Sequence, residues 1–237
     1  MQLCIALDLP CAKENLQLVK TLEKYDIWLK VGFRTFIRDG RDFLDKIKKI
    51  NPNFKIFLDL KLYDIPNTMA DAAEEIVKMD VDMFNIHASA GKKAMQAVME
   101  RLDKHKKRPL VIAVTALTSF DHHSFKEIYG DSIEKRVKEF AFESFQARLD
   151  GVVCSVNESS MIKAQTDKSF LTLTPGVRPF GENSDDQKRV ADIKTAKNER
   201  VDIIVVGRPI YKSKEPVKVV EKILQTIQKL DQLESIA

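Results

Sequence analysis

The chain has 237 residues, 44% of them hydrophobic and 31% charged, and a formal net charge of +4. That length suits one large α/β domain with a sizeable core under a mixed-charge surface, and so modest a charge does not single out a nucleic-acid partner. The longest apolar runs, such as Val111 to Leu117, fall far short of the roughly 20 residues a membrane helix needs.

The opening, Met1-Gln-Leu-Cys-Ile-Ala-Leu-Asp8, reads at once as a strand and carries no signal-peptide pattern. Short apolar or β-branched runs then alternate with longer amphipathic stretches to the end of the chain. The predicted strands are Leu3–Leu7, Ile27–Val31, Lys55–Lys61, Met83–Ile86, Leu110–Val114, Gly151–Cys154, Leu171–Leu173 and Ile203–Val206, and most gaps between them carry a helical pattern. Eight strands alternating with helices point to a TIM (β/α)8 barrel, a single domain over residues 1–237. A doubly wound open sheet competes, but it favours a glycine-rich first turn, and Asp8-Leu-Pro10 is not one.

Cys4, Cys11 and Cys154 show no C-x-x-C spacing, and two of them sit in strand-like runs, which fits reduced thiols and a cytoplasmic setting. The basic run Lys104-His-Lys-Lys-Arg108 falls at a predicted helix end, where cations complement the helix dipole. Ser119 to Asp131, which contains His122 and His123, has little periodicity and reads as a loop. Near the end, Val219, Val220, Ile223, Leu224, Ile227 and Leu230 recur at helical spacing and predict the last outer helix.

The most informative stretch is Phe57-Leu-Asp-Leu-Lys-Leu-Tyr-Asp-Ile-Pro-Asn-Thr68. Strand alternation points Asp59 and Lys61 to one face and Leu58, Leu60 and Leu62 to the other; Asp64 falls just past the strand, and Pro66 suits the first turn of a helix. Charges on the inner face of a sheet are costly unless paired or used. D-x-K-x-x-D taken alone is therefore either an internal ion pair or an active site.

A barrel places its chemistry at the C-terminal ends of its strands. Polar residues collect there: Asp8, Lys30, Asp59 and Lys61, His87, Thr115 and Thr118, Ser155 and Asn157, then Arg178 and Arg208. Ser155, Asn157 and His87 are better read as strand or helix caps. The loops after strands seven and eight read Thr174-Pro-Gly-Val-Arg-Pro179 and Val206-Gly-Arg-Pro-Ile210. Gly-Arg-Pro alone is ordinary turn chemistry, but glycine and arginine in both loops where barrels hold phosphate favour a phosphate site.

These segments, together with Ala6-Leu-Asp8, Leu29-Lys-Val-Gly32 and Val114-Thr-Ala-Leu-Thr-Ser119, closely resemble the orotidine 5′-monophosphate decarboxylase family, in order from residue 6 to residue 210. The resemblance implies a TIM barrel that converts orotidine monophosphate to uridine monophosphate without metal or organic cofactor. It implies Lys61 as proton donor, Asp59 beside the departing carboxylate, and Lys30 and Asp64 completing a charge array, with Asp64 supplied across a homodimer interface. It further implies nucleotide contacts from Asp8, Lys30, Ile65, Thr68 and Thr118, and a phosphate region of Arg178, Gln187, Gly207 and Arg208. A metal-dependent sugar-phosphate decarboxylase or aldolase of the same suprafamily remains open, although Lys30 stands where those enzymes carry an acidic ligand and a cation there repels Mg2+. A barrel that binds nucleotide without chemistry also remains, but gains nothing from a buried charge array.

Overall fold

The strands of this chain are short, mostly apolar runs, and in a computed structural model describing residues 1–181 and 189–234 the runs pair in parallel around a closed ring. The strands are β1 (Gln2–Ala6), β2 (Trp28–Gly32), β3 (Lys55–Leu62), β4 (Met83–His87), β5 (Leu110–Val114), β6 (Gly151–Val153), β7 (Leu171–Thr174) and β8 (Ile203–Val206), and β8 closes against β1. The single-domain TIM barrel expected from the alternation is therefore the fold. No predicted strand boundary is off by more than one residue.

Alternation along each strand separates two cores. Leu3 and Ile5 of β1, with Ile56 and Leu58 of β3, face outward into the layer shared with the helices. Cys4, Ala6, Trp28, Phe57, Met83, Ile112, Val114, Leu173 and Val205 fill the barrel interior. Above this apolar interior, the next inward positions toward the C-terminal mouth on the first three strands are occupied by charges.

The outer ring is made of α1 (Ala12–Thr21), α2 (Phe33–Ile50), α3 (Pro66–Val77), α4 (Lys92–Leu102), α5 (His122–Tyr129), α6 (Ile133–Gln146), α7 (Ser159–Gln165), α8 (Ile193–Asn198), α9 (Arg208–Tyr211) and α10 (Pro216–Glu234). Pro66 opens α3, and α10 buries Val220, Ile223 and Ile227 as its spacing predicted. The helix α2 is broken at Gly40, whose φ of 61° leaves the helical range.

The segment read as a loop, Ser119 to Asp131, requires correction: it contains α5. Asp121 caps the helix by accepting from the Ser124 backbone N–H at 2.8 Å, Gly130 ends it in the left-handed conformation, and Phe125 is its one fully buried side chain. A helix this short buries too little apolar surface to show helical periodicity, so its capping residues were the only local signal. His122 and His123 are its first two residues, and His123 meets Glu127 one turn on at 3.3 Å.

Candidate active site

The site is built from the inward positions that follow the apolar interior. On β3 the interior residue Phe57 is followed by Asp59 and Lys61, on β2 Trp28 is followed by Lys30, and on β1 Ala6 is followed by Asp8. These four charges form an alternating row. Lys61 Nζ lies 2.6 Å from Asp59 Oδ1, Lys30 Nζ lies 3.2 Å from Asp59 Oδ2, and Lys30 Nζ lies 3.7 Å from Asp8 Oδ1. Gly32 leaves room for the row: a Cβ at that position would come within 3.0 Å of Lys30 Nζ.

For Asp59 and Lys30 burial favours the neutral form, and it is outweighed by their neighbours. Burial raises the Asp59 carboxyl, but Lys30 and Lys61 overcome it and hold the pKa down at about 2. Burial likewise lowers Lys30, but Asp59 and Asp8 overcome it and hold the pKa up at about 12. Asp59 and Lys30 therefore stay charged near neutral pH, and Asp59 and Lys61 both line the open cavity.

Lys61 reaches its place by an irregular backbone. Its φ is +48°, a left-handed value that lysine seldom adopts. The β3–β4 ladder pairs Leu58 with Phe84 and then Leu62 with Ile86, so β3 carries two extra residues at this point. Asn85, the β4 residue opposite the irregularity, accepts from the Lys61 backbone N–H through Oδ1 at 2.7 Å and donates through Nδ2 to Asp59 Oδ1 at 2.7 Å. The flipped amide would set oxygen against carboxylate and NH2 against N–H, so the partners fix its orientation.

The row borders a cavity of about 300 Å³ whose walls also carry Thr118, Gly176, Arg178, Gly207 and Arg208. Gly176, at φ 83°, turns the loop after β7 so that the buried Arg178 reaches the cavity. Gly207 caps α9, which Arg208 begins. The side chain of Arg189 ties three of the loops together: it donates to the carbonyls of Ala116 at 3.1 Å and Leu117 at 3.2 Å, and it pairs with Glu158 beyond β6.

The structure thus brings Asp8, Lys30, Asp59, Lys61, Thr118, Arg178, Gly207 and Arg208 to one cavity. Asp64, Ile65 and Thr68 do not line it; all three are exposed beyond β3, and Asp64 accepts only from the neighbouring Ile65 backbone N–H, at 2.7 Å, among the bonds it shows. Gln187 lies outside the described residues. Ser155 is a helix cap as read, its N–H donating to Glu158 Oε2 at 2.7 Å. His87 packs edge-on to Tyr63 outside the cavity, and the hydroxyl of Thr115 donates to the Val153 carbonyl at 2.9 Å.

Two residues went unnoticed in the sequence. Asn85 had a signal, an amide inside the otherwise apolar run Met83-Phe-Asn-Ile86, because a buried amide in a strand needs partners. Arg189 had none, since it lies in an irregular stretch. Among the described residues, no group of three or more His, Cys, Asp and Glu side chains is placed to hold a metal ion, and no helix is long and apolar enough to cross a membrane.

The chain is similar to known proteins over nearly its whole length. The family model "Orotidine 5'-phosphate decarboxylase / HUMPS family" matches residues 1–223. The orotidine 5'-phosphate decarboxylase of a Nitratiruptor species is 66% identical over 96% of this chain and 100% of its own length. The corresponding protein of Sulfurimonas denitrificans is 64% identical over the same shares. A crystal structure of orotidine 5'-phosphate decarboxylase from Lactobacillus acidophilus superposes with a TM-score of 0.80 at 30% identity, covering 95% of this chain and 98% of that one.

Proposed function

The chain belongs to the orotidine 5'-phosphate decarboxylase / HUMPS family and decarboxylates orotidine 5′-monophosphate to uridine 5′-monophosphate in pyrimidine biosynthesis, and on that premise we propose how its own residues perform the reaction. The ammonium of Lys61 is the proton donor. The bond from the pyrimidine ring to the carboxylate breaks, CO2 departs, the electron pair stays on the ring carbon, and a proton from Lys61 Nζ forms the new C–H bond. The resulting amine takes a proton back from water.

The observation that carries this reading is the Lys61 ammonium held 2.6 Å from a buried carboxylate on the wall of a cavity that also carries Arg178 and Arg208. A charged lysine cannot form an imine, which argues against Schiff-base chemistry. Negative charge on the ring carbon is greater in the transition state than in the substrate, so a fixed ammonium favours the transition state selectively. Repulsion between Asp59 and the substrate carboxylate helps less. Two like charges at ~4 Å interact by about 4 kcal/mol at an effective dielectric of ~20, against the roughly 8–23 kcal/mol that enzymes supply.

Arg178, Gly207, Arg208 and Gln187 form the phosphate region in this proposal, Asp8 contacts the ribose together with Thr68, Lys30 extends the charge row, and Thr118 lies by the pyrimidine. Binding energy from the remote phosphate then holds the reacting end in register. Asp64, Ile65 and Thr68 serve the site of a second copy in a homodimer. Their exposure supports this, as do the exposed apolar side chains Phe33, Ile37, Tyr63 and Ile65 on elements that border the site. Three unpaired cysteines support a cytoplasmic setting.

The test is turnover of orotidine monophosphate followed by ultraviolet absorbance before and after exhaustive chelation. Undiminished activity supports the lysine acid. Activity that disappears with EDTA and returns with Mg2+ overturns it in favour of metal-assisted chemistry.

A further inference from the structure

We propose that Asn85 is a positioning residue for the decarboxylation: its one side chain holds the Lys61 backbone in its left-handed turn and the Asp59 carboxylate beneath the Lys61 ammonium, and so aims that ammonium into the cavity. The inference rests on the assignment of Lys61 and Asp59 to the reacting end.

Asn85 is 1% exposed, in the middle of β4, at the point where the β3–β4 ladder slips by two residues. Where the register shifts, the Lys61 N–H is met by a side-chain oxygen, Asn85 Oδ1, at 2.7 Å. Both polar ends of the amide are spent on the catalytic strand, one on Lys61 and the other, through Nδ2, on Asp59 Oδ1 at 2.7 Å. That same Asp59 oxygen receives the Lys61 ammonium at 2.6 Å, which leaves Oδ2 turned to Lys30 at 3.2 Å. The rotation of the carboxylate, and with it the division of its two oxygens between two lysines, is therefore held from β4.

No other side chain type of this size does both tasks. Leucine would leave the part-buried Lys61 N–H without this acceptor and take a donor from Asp59. Aspartate would still accept from the Lys61 N–H but would set a second carboxylate against Asp59. A buried asparagine that only satisfied the strand ladder would have no reason to meet both members of the acid–ammonium pair.

The experiment compares Asn85→Ala and the isosteric Asn85→Asp with wild type and with Lys61→Ala. It reads kcat for orotidine monophosphate, the Kd of uridine monophosphate, and thermal unfolding. A misaimed reacting group costs about 100-fold in rate, so kcat should fall by that order in both Asn85 variants. Affinity for uridine monophosphate should stay within about threefold, because the phosphate region is untouched. The inference is overturned if a folded Asn85 variant keeps kcat within about threefold of wild type, or if kcat and nucleotide affinity fall together. Failure of both variants to fold also overturns it, since Asn85 would then be structural. If instead Lys61→Ala keeps its kcat, the assignment of the reacting end is wrong, and that result is separate from any of these.

Discussion

Lys61 Nζ lies 2.6 Å from Oδ1 of Asp59, two residues earlier on the same strand, although Lys61 has left the strand conformation with a φ of +48°. A regular strand would already send both side chains inward, so the turn at Lys61 is not needed to choose the face. Its effect is on direction. The left-handed residue and the widened ladder swing the end of β3 at the mouth of the barrel, where the ammonium contacts both the carboxylate and the cavity. Left-handed backbone outside glycine costs on the order of 1–3 kcal/mol, and such strain concentrates at functional sites.

If Lys61 is the proton donor, replacing it removes both the acid and the charge that faces the developing carbanion. Lys61→Ala should lower kcat by about 10³-fold or more, since general-acid and electrostatic contributions are each worth roughly 10²–10⁴. Circular dichroism should be unchanged, because Lys30 and Asn85 still partner Asp59. A variant with near-normal turnover would refute the role.

Stability should depend on pH through the Lys30–Asp59 pair, with opposite signs at the two ends. The carboxyl of Asp59 is depressed to about 2, so its contribution is present above pH ~4 and is lost as pH falls through about 2. The ammonium of Lys30 is raised to about 12, so its contribution is present below pH ~10.5 and is lost as pH rises through about 12. Each is worth about 2 kcal/mol, and because they share one contact they do not add. Urea midpoints should show that Asp59→Asn loses less stability than wild type between pH ~4 and ~2. Parallel curves for the two proteins would contradict the assignment.

If Arg208 grips the phosphate, Arg208→Ala should weaken the phosphorylated substrate by roughly 10- to 150-fold, the equivalent of ~1.5–3 kcal/mol for a charged hydrogen bond. Slow turnover of the bare nucleoside should barely change. Equal losses with nucleoside and nucleotide would make Arg208 a structural residue of the loop after β8.

A shared site predicts complementation. In a two-fold dimer, combining inactive Lys61→Ala and Asp64→Asn chains gives heterodimers in which one site carries both defects and the other carries neither. Random exchange makes about half the dimers mixed, so activity should return to roughly a quarter of wild type. Exchange must be driven by co-expression or by refolding the mixture. Verified heterodimers as inactive as their parents would place Asp64 in its own chain's site.

Local chemistry in the sequence determined a good deal of this protein. Period-two alternation put Asp59 and Lys61 on one face whatever the strand's neighbours, Pro66 opened α3, and glycine and arginine marked the two loops that reach the cavity. The same locality hid what depends on contacts between distant segments. Register between β3 and β4 is a property of two strands at once, so the slip at Lys61 and the double use of Asn85 could not be read from either. Asp8 joins the charge row only because β1 pairs in register beside β2, and Arg189 ties loops that are 73 residues apart in sequence. The short helix α5 went unread for a related reason: its caps are local, but the burial of Phe125 that anchors it is tertiary. Asp64 shows the division most plainly, because strand geometry placed it beyond β3, while only the folded barrel decides that it is exposed and does not line the cavity.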